Sequence, residues 1–240
     1  MTEKERFDPH IEGVSAEERF NLLLDRDRVI PAEYTNLIAK QDTRDNKERF
    51  QRTEYSETWL DLHGKRAETA RDFFKQKLTG HPFIDLGGGI GLMRGIASEF
   101  GATEYINVDR QYHENLPPNP FEIRHSAPLG NKQNACEIDV HADMLDFVSR
   151  LKDGVASFTL NGIDYSIVDD PEYHKALARE IIRATRKDGL IFSIRSMALS
   201  EILEQLSMGE KLPVKQVNLQ QETGFKLVSP LGHYIFEKVE

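Results

Sequence analysis

The nine residues Phe83-Ile84-Asp85-Leu86-Gly87-Gly88-Gly89-Ile90-Gly91 constrain this chain more than any other stretch. Apolar residues run into an acid, then a glycine cluster, then the helical pattern of Leu92 to Phe100. That succession predicts a buried strand, a tight turn and a helix. Glycine takes positive φ freely and lets a backbone pass close to a ligand. The turn leaves helix N-terminal amides facing whatever sits above it. A nucleotide-like small molecule is the ligand class such a turn suits.

The rest of the sequence bounds that reading. A chain of 240 residues holds one α/β domain plus an appendage. With 31 Lys and Arg against 40 Asp and Glu, the net charge is -9. Nucleic-acid binding is disfavoured as the main business, because phosphate contacts need clustered cations. Cys136 is the only cysteine, so no intrachain disulfide can form. Met1 to Glu12 is charged and lacks an apolar leader core, and no window approaches the ~20 apolar residues of a membrane span. A cytoplasmic location without membrane contact is expected. Oligomeric state is not legible.

The pattern before Pro82 is helical. Phe20, Leu22, Leu23, Leu24, Val29, Ile30, Leu37 and Ile38 punctuate a charged background broken by Pro31, which predicts two short helices. Asp42 to Thr53 is almost wholly polar. Residues 1–62 are read as an N-terminal helical cap or lid, with Tyr55 and Trp59 placed to cover a ligand, and 63–240 as the ligand-binding domain. A helix over Arg66 to Leu78 ends at Gly80 and Pro82. Strands are then expected at Pro82–Leu86, Tyr105–Val108, Glu137–Ala142, Ser157–Leu160 and Leu190–Ile194. Helices fall between them at Leu92–Phe100, Met144–Leu151 and Glu172–Arg186. Such βα units imply a doubly wound, mostly parallel sheet. Gly224–Val228 and Tyr234–Val239, around Pro230-Leu231-Gly232, read as an antiparallel C-terminal hairpin.

Three ligand classes use a strand, a glycine turn and a helix. The phosphate-binding GxxxxGK[ST] spacing fails for want of its lysine. The dinucleotide GxGxxG register puts Leu92 or Arg94 where the third glycine belongs. What remains is an acid followed by GxGxG, from Asp85 to Gly91. This resembles the first motif of the class I S-adenosylmethionine-dependent methyltransferases. Asn107-Val108-Asp109 resembles the family's second-strand acid, and His141-Ala142-Asp143-Met144 its adenine-contacting segment. Ile182 to Phe192 resembles its RxLKPGGxL element, with Thr185 for the leucine. The resemblance spans about Arg66 to Glu240. It implies a Rossmann-like seven-stranded sheet with an antiparallel C-terminal hairpin, and S-adenosylmethionine as cofactor.

By that resemblance Gly87, Gly88, Gly89 and Gly91 let the main chain approach the methionyl part and ribose. Asp85 braces the glycine loop through backbone hydrogen bonds. A carboxylate at Asp109 can accept two bonds from vicinal ribose hydroxyls, or can cap a turn. Asp143 either accepts from the adenine amino group or caps the next helix, or both, with the Met144 amide donating to a ring nitrogen. Arg110 and Tyr112 can pack on the adenine, and Asn161 can face the methionyl group or the acceptor.

The expected reaction is methyl transfer to a small-molecule oxygen or nitrogen, with a protein or RNA acceptor, or a noncatalytic binding module, as alternatives. An Asn-Pro-Pro-Tyr signature is absent, and Asp164, Tyr165 and Ser166 stand where the family often has a histidine. A general base would come from Asp164, Tyr165, His113 or His63. The acids Asp169, Asp170 and Glu172 near His174 read as a helix start, and no metal is expected. The proline-rich segment His113 to Ala135 is read as a long irregular loop lining the acceptor pocket.

Overall fold

The computed structural model describes residues 14–42, 67–89, 91, 93–110, 118–128, 136–163, 168–194, 196–209, 213–226 and 233–239. Strand and helix alternate from Phe83 onward. The strands are β1 (Phe83–Leu86), β2 (Glu104–Val108), β3 (His125–Pro128), β4 (Cys136–Val140), β5 (Ser157–Asn161), β6 (Leu190–Ile194), β7 (Val214–Gln216) and β8 (His233–Lys238). The helices are α1 (Ala16–Leu23), α2 (Ala32–Asp42), α3 (Glu68–Leu78), α4 (Arg94–Glu99), α5 (Met144–Ser149), α6 (Pro171–Ala184), α7 (Met197–Gly209) and α8 (Leu219–Thr223). One sheet runs in the order β3-β4-β2-β1-β5-β6-β8-β7. The five central strands are parallel; β3, at one edge, and β8 run antiparallel to their neighbours. The doubly wound sheet with an antiparallel C-terminal pair is therefore present, widened to eight strands by β3.

Two features of the sequence reading are corrected. The segment 113–135 is not irregular throughout: His125–Pro128 pairs with β4 as an edge strand, where the missing N–H of a proline is tolerated. The C-terminal pair is built from Val214–Gln216 and β8, not from a hairpin starting at Gly224. Residues 225–226 carry no strand; 227–232 lie outside the described residues. A three-residue strand followed by α8 has too little alternation to be read from sequence.

Buried residues fall into two cores, one on each face of the sheet. Ile84, Ile106, Ile138 and Leu160 point toward α5, α6 and α7, and Phe20, Leu23, Leu24 and Tyr34 of the N-terminal helices join them. Phe83, Tyr105 and Phe192 point the other way, toward Phe74 of α3, Ala97 of α4 and Leu219 of α8. Phe192 packs edge-on against Phe83 and tilted against Phe74 at ring separations of 5.8 and 5.4 Å, contacts worth about 1 kcal/mol each beyond area burial. In the α6–β6 turn Asp188, at the place of the first glycine of the RxLKPGGxL pattern, sits at φ 58, a left-handed conformation that glycine adopts freely and aspartate tolerates. Among the described residues no helix is long and apolar enough to cross a membrane.

Candidate functional site

The chain leaves β1 for β2 and β4 on one side, then crosses to β5 and β6 on the other. The carboxyl ends of β1 and β5 therefore flank the topological switch point, where open α/β sheets bind ligands. Short hydrogen bonds between backbones align the loops at this edge. Gly87 N–H donates to Val108 O at 2.8 Å, Asp109 N–H to Val140 O at 3.1 Å, and Gly162 N–H to Ile194 O at 2.8 Å.

The glycine turn follows directly from β1. Gly87, Gly89 and Gly91 have φ of 71, 55 and 74, which explains three of its glycines. Gly87 also needs its missing side chain, because a Cβ would come within 2.7 Å of Ile163 Cδ1. Gly88 has no room for a side chain. A Cβ there would lie 2.3 Å from Asn107 Oδ1 and 2.6 Å from Asp85 Oδ2, so the residue rests on two buried polar side chains. A Cβ on Gly89 would meet nothing within 4 Å, so the turn is open there. Side chains from the end of β2 clamp the Gly89 main chain on both sides. Its N–H donates to Asp109 Oδ2 at 2.9 Å, and its carbonyl accepts from Asn107 Nδ2 at 2.9 Å.

Asp85 sits beneath the turn and is 1% exposed. Among the described residues, Tyr105 donates its hydroxyl to Asp85 Oδ2 at 2.7 Å. The direct backbone bonds expected of Asp85 are not among those it makes in the described residues; it supports the turn by packing under Gly88. Burial pushes its carboxyl up to about 7, opposed by the Tyr105 hydrogen bond and reinforced by the Asp109 charge.

Asp143 does cap a helix. Its Oδ1 accepts from the Leu145 and Asp146 amides of α5 at 2.8 and 3.3 Å and from the Tyr173 hydroxyl of α6 at 2.9 Å. Its Oδ2 lies 3.7 Å from Arg110 Nη1. Burial raises this carboxyl to about 6, against the lowering effect of Tyr173, the helix amides and Arg110. The Arg110 carbonyl is 2.7 Å from His141 Nε2, which ties the β2 and β4 loops together. Met144 follows, with its sulfur 3.5 Å from the place a Gly87 side chain would occupy. Asn161 comes one residue after Leu160, the register partner of Leu86, and so stands beside Gly87. Its Oδ1 is buried without a hydrogen-bond partner among the described residues. Ser196 fixes this loop by accepting from the Ile163 N–H at 3.1 Å.

The structure thus brings Asp85, Gly87, Gly88, Gly89, Gly91, Asp109, Arg110, Asp143, Met144 and Asn161 to one edge of the sheet. Asn107, Tyr105 and Tyr173, to which the sequence attaches no site role, hold that group in place. Alternation along β2 was the available signal, since it puts Tyr105 and Asn107 on the face of Asp85. The candidate bases His63, His113, Asp164 and Tyr165, and Tyr112, lie outside the described residues, as do Tyr55 and Trp59. Asp170 caps α6 by accepting from the Glu172 and Tyr173 amides at 3.0 and 3.4 Å. His174 is buried, its Nε2 2.6 Å from Val168 O. In the segment read as lining an acceptor pocket, Phe121 packs instead against the guanidiniums of Arg26 and Arg150, at 5.1 and 4.8 Å.

No protein-family model matches the chain, and no curated protein matches it in sequence. Among solved structures it is similar to SMU.1697c of Streptococcus mutans, assigned as a methyltransferase and crystallised with SAH: identity 13%, coverage 73% of this chain and 99% of that one, TM-score 0.43. It is also similar to an rRNA methylase from Streptococcus thermophilus, with identity 13%, coverage 74% and 98%, and TM-score 0.44. A third likeness is to the aminoglycoside resistance methyltransferase NpmB1, with identity 18%, coverage 74% and 95%, and TM-score 0.40. At these identities and TM-scores, what the chain binds has to be read from its own residues.

Proposed function

We propose that this chain is a methyltransferase that binds S-adenosylmethionine at the carboxyl ends of β1, β2, β4 and β5. The observation that carries this reading is the convergence of an open glycine turn at Gly89 with two carboxylates, Asp109 and Asp143, from successive loops. The residues present fit that cofactor. Asp109 offers carboxylate oxygens to ribose hydroxyls in a charge-assisted arrangement. Asp143 and the Met144 amide offer an acceptor and a donor to adenine. The orphaned Asn161 oxygen suits an ammonium donor of the methionyl part. When bound, the cofactor supplies an electrophilic methyl group on a sulfonium. The chain's own task is then positioning: the turn and both carboxylates hold the cofactor rigidly, which accounts for much of the acceleration in a displacement of this kind. Residues 1–62 serve in this reading as a cap on the 63–240 domain.

The small-molecule acceptor expected from the net charge has no side chain among the described residues that favours it. RNA belongs beside it in the assay, being the acceptor class in the description of one of the similar chains. Calorimetry with S-adenosylmethionine, S-adenosylhomocysteine and NAD tests the cofactor. Transfer of labelled methyl to small molecules and to structured RNA then tests the acceptor. Preference for NAD would overturn the reading; binding without transfer to any acceptor would leave a binding module.

A further inference from the structure

A row of polar side chains crosses four strands just beneath the glycine turn. Asp139 of β4, Asn107 of β2, Asp85 of β1 and Thr159 of β5 are successive register partners, so their side chains share one face of the sheet. All four are buried, at 7%, 2%, 1% and 0% exposure. The Asn107 amide is oriented without ambiguity. Its Nδ2 donates to Gly89 O at 2.9 Å and to Asp139 Oδ1 at 3.0 Å, both acceptors, so a flipped amide would set oxygen against oxygen at each. Asn107 Oδ1 therefore faces Gly88 and Asp85, where it has no donor. Asp85 Oδ1 and Thr159 Oγ1 are likewise buried and, among the described residues, without hydrogen-bond partners. Asn107 Oδ1 and Asp85 Oδ2 lie 2.3 and 2.6 Å from the same point above Gly88, acceptor beside acceptor, and a proton on Asp85 removes the conflict.

We propose that Asn107 is the positioning residue of the glycine turn and that Asp85 stands beneath it as a neutral carboxylic acid, donating its proton to Asn107 Oδ1. The role in cofactor binding rests on the function proposed above; the proton on Asp85 does not. The groups facing Asp85 agree with it. From β2 come Tyr105, which donates to Oδ2, and Asn107; the loop after β2 adds the Asp109 charge. Glu137 and Asp139 extend the same face with further acids, and Arg94 of α4 is engaged with Glu137 at 3.3 Å. Met93 and Ala97 of that helix bring apolar atoms. Burial and the Asp109 charge favour the protonated form against the Tyr105 hydrogen bond, and the carboxyl is accordingly pushed up to about 7. The result is a brace running from Tyr105 through Asp85 to Asn107, and through Asn107 to the Gly89 carbonyl. The turn is fixed by side chains below it before any ligand arrives.

Asp85→Asn supplies the decisive comparison, because an amide is neutral, donates to Asn107 and still accepts from Tyr105. The variant is expected to bind S-adenosylhomocysteine within threefold of the native chain near neutral pH. Its melting temperature is expected to gain on the native chain as pH rises from 4 to 7. Asn107→Ala is expected to lose at least tenfold in affinity while keeping a cooperative melt. A tenfold loss in Asp85→Asn with a normal melt, or a melting difference that does not change with pH, would overturn the neutral acid. Unchanged affinity in Asn107→Ala would overturn the positioning role. Should the native chain fail to bind S-adenosylhomocysteine, the proposed function falls, and the pH dependence of melting still decides the proton.

Discussion

The amide of Gly89 donates to the carboxylate of Asp109 across 2.9 Å, joining the glycine turn to the end of the second strand. In the proposed function the same acid holds the turn and receives a ribose. Asp109→Ala removes both roles and is expected to weaken S-adenosylhomocysteine binding by about tenfold to a hundredfold, the range for losing charge-assisted hydrogen bonds. Asp109→Asn keeps an acceptor for Gly89 and should fall between the two in calorimetric titrations. Equal affinity in all three proteins would remove Asp109 from the site.

Asp143 gives the site an acid limit. Its carboxyl is raised to about 6, chiefly by burial, and it must be ionised to accept from adenine without competition from its own proton. Cofactor affinity is expected to fall as pH drops below about 6. Tyr173 donates to the ionised form, so Tyr173→Phe should raise the Asp143 carboxyl further and move the limit to higher pH. Titration of S-adenosylhomocysteine binding from pH 5 to 8 in both proteins checks this; coincident profiles would contradict it.

Asp85 makes stability itself pH-dependent. A carboxyl raised from 3.8 to about 7 binds its proton more tightly folded than unfolded. Its contribution is present in full below the unfolded value and is lost as pH rises through the folded one. The loss is on the order of a few kcal/mol. Denaturant unfolding at pH 5 and pH 8 should show Asp85→Asn gaining on the native chain at the higher pH.

The glycines differ in what they tolerate. Gly88→Ala drives a Cβ against Asn107 and Asp85, Gly87→Ala strains φ and strikes Ile163, and Gly89→Ala strains φ in open space. Melting temperatures are expected to fall most for Gly88→Ala and least for Gly89→Ala. The reverse order would mean that backbone conformation outweighs the packing beneath the turn.

At the opposite edge of the sheet, Arg19 of α1 lies 2.7 Å from Glu104, which is 1% exposed. Thr103 also donates to this carboxylate. Arg19→Met leaves the charge buried and should cost roughly 3–5 kcal/mol of unfolding free energy. A change under 1 kcal/mol would show the N-terminal helix to be dispensable to the core.

The parallel sheet and the glycine turn were legible because both are written in local pattern. Apolar runs mark β1, β5 and β6, and an acid ends β2 where a loop must begin. What escaped is non-local. Asn107 and Tyr105 matter through the face they share with Asp85, visible once β1 and β2 are set in register. Tyr173 reaches Asp143 from a helix thirty residues on. β3 and β7 are too short for periodicity to show. Residues 197–209 form α7, whose apolar side packs on α6, but no motif drew attention to it.

Isothermal titration of the intact chain with S-adenosylhomocysteine, with NAD as the control, tests the central claim most directly. One site per chain, weakened at least tenfold by Asp109→Ala and not competed by NAD, is the predicted result. No binding of S-adenosylhomocysteine to a folded native chain, or tighter binding of NAD, would contradict it.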